Sequence, residues 1–135
     1  MKLANHTTPS DNAATREITF GQAINEALAE EMRRDPTVFI IGEDVAEAGT
    51  PFKVLSGLVK EFGTQRVIDS PISEAGIAGI GVGAAMTGMR PVVDIMFGDF
   101  LTLTMDQLVN QAAKIHYMSA FRSEERRVGK ECRSR

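Results

Sequence analysis

Glu74 stands at the mouth of 69-DSPISEAGIAGIGVGAAMTG-88, a run of glycines, alanines and short aliphatics that reads as a tightly packed, buried helix. A carboxylate in that place has two uses. It can complement the positive end of the helix dipole, behind Ser70 or Ser73 as N-cap. It can also be held beside an apolar pocket, where desolvation raises its proton affinity and strengthens its hydrogen bonds. The second kind of group suits proton transfer to a ligand nitrogen. Periodicity alone leaves both open.

Three further groups follow short apolar runs: Glu43-Asp44, Asp69-Ser70, and Met96-Phe97-Gly98-Asp99-Phe100. Taken singly, Glu43 and Asp44 read as turn residues, and Met96 and Phe100 as core. Taken together, at the carboxyl ends of parallel strands, they make a pocket rim with an acid and an apolar clamp. Such a rim has room for a heteroaromatic ring.

Other chemistries find little support. His6 and His116 are far apart, and no close Cys/His or acidic spacing marks a metal site. No serine occupies a G-x-S-x-G elbow, and there is no P-loop. Gly79-x-Gly81-x-x-Ala84 fits a relaxed dinucleotide fingerprint, but Pro71 to Ala78 separate it from the preceding strand. Close packing explains these glycines better. Ala75, Gly79, Gly83 and Thr87 recur every four residues, a stripe on which a second backbone can lie.

The elements that position these residues alternate. Thr19 with Gln22 has the capping-box spacing, and Ile24, Ala27, Leu28 and Met32 follow at helical intervals until Asp35-Pro36. VFIIG (38–42) reads as a strand buried on both faces. A loop (42–52) and a short helix (53–62) follow, then the strand VID (67–69), the glycine-rich helix (73–88) and the strand PVVDIMF (91–97). LTLTMDQLVNQAAKIHYMS (101–119) reads as one long amphipathic helix with Met105, Leu108, Ala112 and Ile115 on a face. This order predicts an α/β fold: a doubly wound, mostly parallel sheet with helices on both faces, incomplete at its C-terminal side.

With 135 residues, 43% of them hydrophobic, the chain holds one domain. The net charge of −3 gives no basic footprint for nucleic acid or an anionic membrane. The lone Cys132 excludes an internal disulfide framework and suits a reducing compartment. No apolar run is long enough to span a bilayer, and the N-terminus has neither a secretory nor a transit pattern. These features predict a cytoplasmic protein. Residues 1–15 read as a disordered segment. RSEERRVGKECRSR (122–135) carries a charge of +3 against −6 for the rest, and residues 120–135 read as a solvated basic tail.

ITFGQAINEALAEEM, VFIIGEDV, RVIDSPISEAGIAGIGVGAAMTGMRPVVDIMF and MDQLVNQAAKIHYMS together resemble the beta subunit of thiamine-diphosphate-dependent 2-oxo acid dehydrogenases. This is the decarboxylating component of pyruvate, branched-chain 2-oxo acid and acetoin dehydrogenase complexes. The resemblance covers residues 16–119, a partial pyrimidine-binding domain. It implies that Glu74, by its place in P-I-S-E, hydrogen-bonds a nitrogen of the cofactor's aminopyrimidine. It also implies that Met96 and Phe100 contact or stack on that ring. Glu43 matches an acidic position near a water-filled path between paired sites. In this family the cofactor serves as electron sink for decarboxylation.

The family's G-D-G…N motif, which holds the diphosphate through Mg²⁺, does not occur in this sequence. In two-chain members it lies on the alpha subunit. The resemblance therefore implies half a site, completed by an alpha subunit in an alpha2beta2 heterotetramer, with acyl transfer to a lipoyl acyltransferase core. Beyond HYMS the sequence departs from the family pattern. Residues 120–135 resemble nothing in it, as a truncated frame joined to foreign sequence would. The alternatives are an acetoin dehydrogenase beta subunit and a non-catalytic fragment that keeps only the subunit-interaction surface.

Overall fold

A computed structural model of the protein describes residues 16–119. The expectations for residues 1–15 and 120–135 lie outside that range. Helix α1 spans Phe20–Arg34. Its capping box forms as the spacing predicts: Thr19 Oγ1 accepts from the Gln22 N–H (3.2 Å), and the Thr19 N–H donates to Gln22 Oε1 (2.8 Å). Met32 and Ala29 are buried, whereas Ala27, expected on the core face, is exposed. At the far end Arg66 donates to the carbonyls of Met32 (2.8 Å) and Asp35 (2.9 Å) and to that of Val38. One half-buried cation thus satisfies acceptors that the end of a helix leaves open.

Strands β1 (Val38–Gly42), β2 (Val67–Asp69) and β3 (Arg90–Val93) form a parallel sheet in the order β2-β1-β3. Ile40 pairs with Val67 on one side of β1 and with Val92 on the other. All five residues of β1 are buried, as a central parallel strand requires. Val38 and Ile40 meet Met32, Leu55, Leu58 and Val67 on one face. Phe39 and Ile41 meet Ile77 on the other. Helices α1 and α2 (Leu58–Phe62) cover the first face, and α3 (Glu74–Met86) covers the second. The expected architecture, α/β with helices on both faces, is the one observed. Among the described residues no helix is long and apolar enough to cross a membrane.

Three elements differ from expectation. Helix α2 starts at Leu58, not residue 53, because Lys53 (φ 58°) and Gly57 (φ 87°) adopt left-handed backbone. The same loop holds Asp44 (φ 51°) and Thr50 (φ 68°) in that region. Strand β3 starts one residue early and stops at Val93. The long helix does not form as one piece. Gly98–Thr104 winds as a 3₁₀ helix, Asp106–Ala112 as a π-helix, and only Ile115–Ser119 (α4) is α-helical. The hydroxyls of Thr102 and Thr104 bond the carbonyls three residues back (3.0 and 2.8 Å), which favours the tighter winding. The expected apolar face is accordingly lost. Ala112 is buried, but Met105 and Leu108 are each 40% exposed.

The small-residue stripe is also displaced. Ile77, Ala78 and Gly81 form the buried line of α3. Ala75, Gly83 and Thr87 are exposed, while Gly79 faces the Gln107 side chain. Gly81 is where close approach occurs: a Cβ there would stand 2.4 Å from Val93 Cγ2.

Candidate functional site

The chain leaves central β1 for β2, then crosses back through α3 to β3 on the opposite side. That reversal marks the carboxyl ends of β1 and β3 as the place where ligands of open parallel sheets bind. The strand ends are tied together by the backbone. Ser70 N–H donates to Gly42 O (2.8 Å), and Asp94 N–H donates to Ile41 O (2.9 Å). Asp69 Oδ1 accepts from the Ala46 N–H (2.8 Å), anchoring the loop after β1 to the end of β2. Gly42 permits the convergence. A Cβ at that position would lie 2.8 Å from both Asp94 Cβ and Val45 Cγ1.

All four candidate residues follow strand ends on this side of the sheet. Glu43 comes directly after β1, and its Oε1 is buried with no hydrogen-bond donor among the described residues. Glu74 opens α3, the segment following β2, and is half-buried. Of the two N-caps considered, Ser73 is the one used: its Oγ accepts from the Gly76 N–H (3.3 Å). Glu74 therefore sits in the first turn, where the helix dipole favours negative charge. Met96 follows β3 and is half-buried. Phe100 lies in the 3₁₀ helix, 40% exposed, its ring edge-on to Phe97 at 5.7 Å and 86°.

Asp94 joins this set, although the sequence pattern does not single it out. Reading β3 through residue 97 hides it in mid-strand. With β3 ending at Val93, Asp94 is the first residue past the strand, beside Gly42. Burial pushes its carboxyl above the ordinary value. An acid inside the apolar run PVVDIMF is the signal that could have revealed it.

Carboxylates, a thioether and an uncovered aromatic face at one end of a parallel sheet can flank a flat heterocycle and bond its nitrogens. Among the described residues no cluster of three or more His, Cys, Asp or Glu side chains could hold a metal ion. A separate cavity of about 510 Å³ runs along the outer edge of β3, and none of the four candidates lines it.

Residues 16–124 match the pyrimidine-binding domain of transketolase. The chain belongs to that family. The pyrimidine-binding domain is 51% identical over 106 residues to the pyruvate dehydrogenase E1 component subunit beta of Dictyostelium discoideum mitochondria, covering 78% of this chain and 30% of the relative. Against the pyruvate dehydrogenase E1 component subunit beta of Rhizobium meliloti, identity is 52% over 102 residues, 76% of this chain and 22% of the relative. The 2-oxoisovalerate dehydrogenase subunit beta of Bacillus subtilis is 48% identical over 102 residues, 76% of this chain and 31% of the relative. The chain thus spans less than a third of the length of these curated relatives.

Proposed function

We propose that this chain supplies the aminopyrimidine side of a thiamine diphosphate site in the decarboxylating component of a 2-oxo acid dehydrogenase, as part of its beta subunit. The observation that carries this reading is Glu74 opening α3 at the carboxyl end of the sheet, within a domain of the matching family. The residues present fit such a ring. Glu43 offers a buried carboxylate oxygen that has no donor of its own among the described residues. Met96 and Phe100 offer a soft thioether and a partly uncovered aromatic surface.

When bound, thiamine diphosphate supplies the electron sink for cleavage of the bond to the substrate carboxylate. This chain's residues hold and orient the ring. The Glu74 side chain would hydrogen-bond a ring nitrogen. Met96 and Phe100 would flank the ring, and Glu43 would extend the acidic rim beside it. Mg²⁺ and the diphosphate belong to an alpha subunit in this reading, as a G-D-G…N motif is missing from the sequence. The names of the relatives support pyruvate or a branched-chain 2-oxo acid as substrate.

The test is co-expression of the chain with the alpha subunit of the Rhizobium meliloti component, assayed for 2-oxo-acid-dependent reduction of an artificial electron acceptor. Glu74→Ala should leave association intact and lower turnover at least about 100-fold, the low end for loss of a proton-transfer group. Full turnover in a well-folded Glu74→Ala assembly would refute the role of Glu74. A second reading is a polypeptide that keeps the subunit-interaction surface and associates without turnover. Robust substrate-dependent reduction by the unmodified assembly rules that reading out.

A further inference from the structure

Asp69 closes β2 directly opposite Gly42, the last residue of β1. Two bonds join the chain around this point to the end of β1. The Ser70 N–H donates to Gly42 O (2.8 Å), which is a backbone bond that no side-chain change removes. The Asp69 carboxylate makes the other, accepting the Ala46 N–H at Oδ1 (2.8 Å) across 23 positions of sequence. Asp69 itself is exposed, so truncating its side chain opens no cavity in the core.

The two segments joined here carry the two acids of the rim. Glu43 and Asp44 stand between Gly42 and the buried pair Val45 and Ala46. Glu74 follows Asp69 through Ser70, Pro71, Ile72 and Ser73. Val45 and Ala46 belong to the core cluster around Ile40 and Val67. Apolar burial is non-directional, so it keeps the pair inside without setting where Glu43 stands. A hydrogen bond has a fixed length and angle and does set it. Asp44 also takes left-handed backbone (φ 51°), which a non-glycine residue keeps only where its surroundings impose it. The ladder bond at Gly42 and the Asp69 bond at Ala46 pin the backbone on either side of it.

We propose that Asp69 is a positioning residue of the site: by holding the Ala46 N–H it fixes the segment that carries Glu43 against the segment that carries Glu74. This rests on the thiamine diphosphate reading, because the rim it fixes is the one that would hold the ring. The test uses the assembly with the alpha subunit of the Rhizobium meliloti component, titrated calorimetrically with thiamine diphosphate in the presence of Mg²⁺. Asp69→Ala should raise the dissociation constant at least about tenfold, the scale of one lost bond to a charged acceptor, and leave association with the alpha subunit unchanged. Asp69→Asn keeps an acceptor oxygen for the Ala46 N–H and should bind within about threefold of the unmodified assembly. If Asp69→Ala binds as tightly as the unmodified assembly, the proposal is overturned even where the melting temperature falls, since Asp69 then serves stability alone. A loss of about tenfold in Asp69→Asn also overturns it, because charge and not the bond to Ala46 is then what matters, and this outcome decides the question even if Asp69→Ala does not fold. Absence of binding by the unmodified assembly overturns the thiamine diphosphate reading and this proposal with it, which tells the two failures apart.

Discussion

The same substitution at two glycines of α3 should have opposite effects. A Cβ added at Gly83 meets nothing within 4 Å, whereas at Gly81 it would stand 2.4 Å from Val93 Cγ2. In a helix interior, replacing Gly by Ala gains about 1 kcal/mol. Gly83→Ala should keep that gain. Overpacking a filled contact costs about 1–3 kcal/mol. Val93 is β-branched, so it cannot turn aside without leaving its preferred rotamer. Gly81→Ala should therefore be net destabilising by about 1 kcal/mol, a separation of about 2 kcal/mol between the two variants. At roughly 4–8 °C per kcal/mol, their melting temperatures should differ by about 10 °C. Thermal unfolding followed by circular dichroism measures this directly. If Gly81→Ala melts at or above Gly83→Ala, α3 does not lie on β3 in this register.

Two other outcomes follow from single residues. Thr50 is 6% exposed, has φ 68°, and its Oγ1 has no hydrogen-bond partner among the described residues. Thr50→Gly removes both the left-handed strain of a β-branched residue and the unpaired hydroxyl, and should raise stability by about 1–2 kcal/mol in urea unfolding; a loss of stability would show that its buried methyl matters more. Because the folded value of Asp94 lies above the unfolded value near 3.8, its favourable contribution is complete below that pH and is lost as pH rises through the folded value. Asp94→Asn should thus raise the melting temperature at neutral pH, with the difference shrinking as pH falls towards 3.8. A difference independent of pH would show that the charge of Asp94 is not what burial disfavours.

Periodicity and punctuation exposed most of the framework. Thr19 with Gln22 marked the start of α1, and VFIIG and VID marked β1 and β2 to the residue. These signals are local, so sequence carries them. What it hid depends on tertiary contact or backbone conformation. Lys53 at φ 58° looks like any lysine in a helical run. Thr102 and Thr104 sit in a pattern whose spacing suits an α-helix, and their bonds to carbonyls three residues back become visible only in space. The buried line of α3 runs through Gly81, not Gly79 and Gly83, because an all-small helix has no hydrophobic contrast to orient it. Glu74, Glu43, Met96 and Phe100 were legible as residues that follow strands. Asp94 was overlooked: the acid that interrupts PVVDIMF is a signal, but reading the strand through residue 97 places it in mid-strand.

Glu43 rides on the loop between β1 and α2, which the Asp69–Ala46 bond and the donation from Asn25 Nδ2 to Val54 O (2.6 Å) hold in place. That loop is therefore ordered by the fold itself. Ordering a backbone costs about 1–2 kcal/mol of conformational entropy per residue, and here the loss falls on folding. A ligand arriving at the strand ends meets a rim already shaped, so its association rate should be set by diffusion and orientation, not by loop closure.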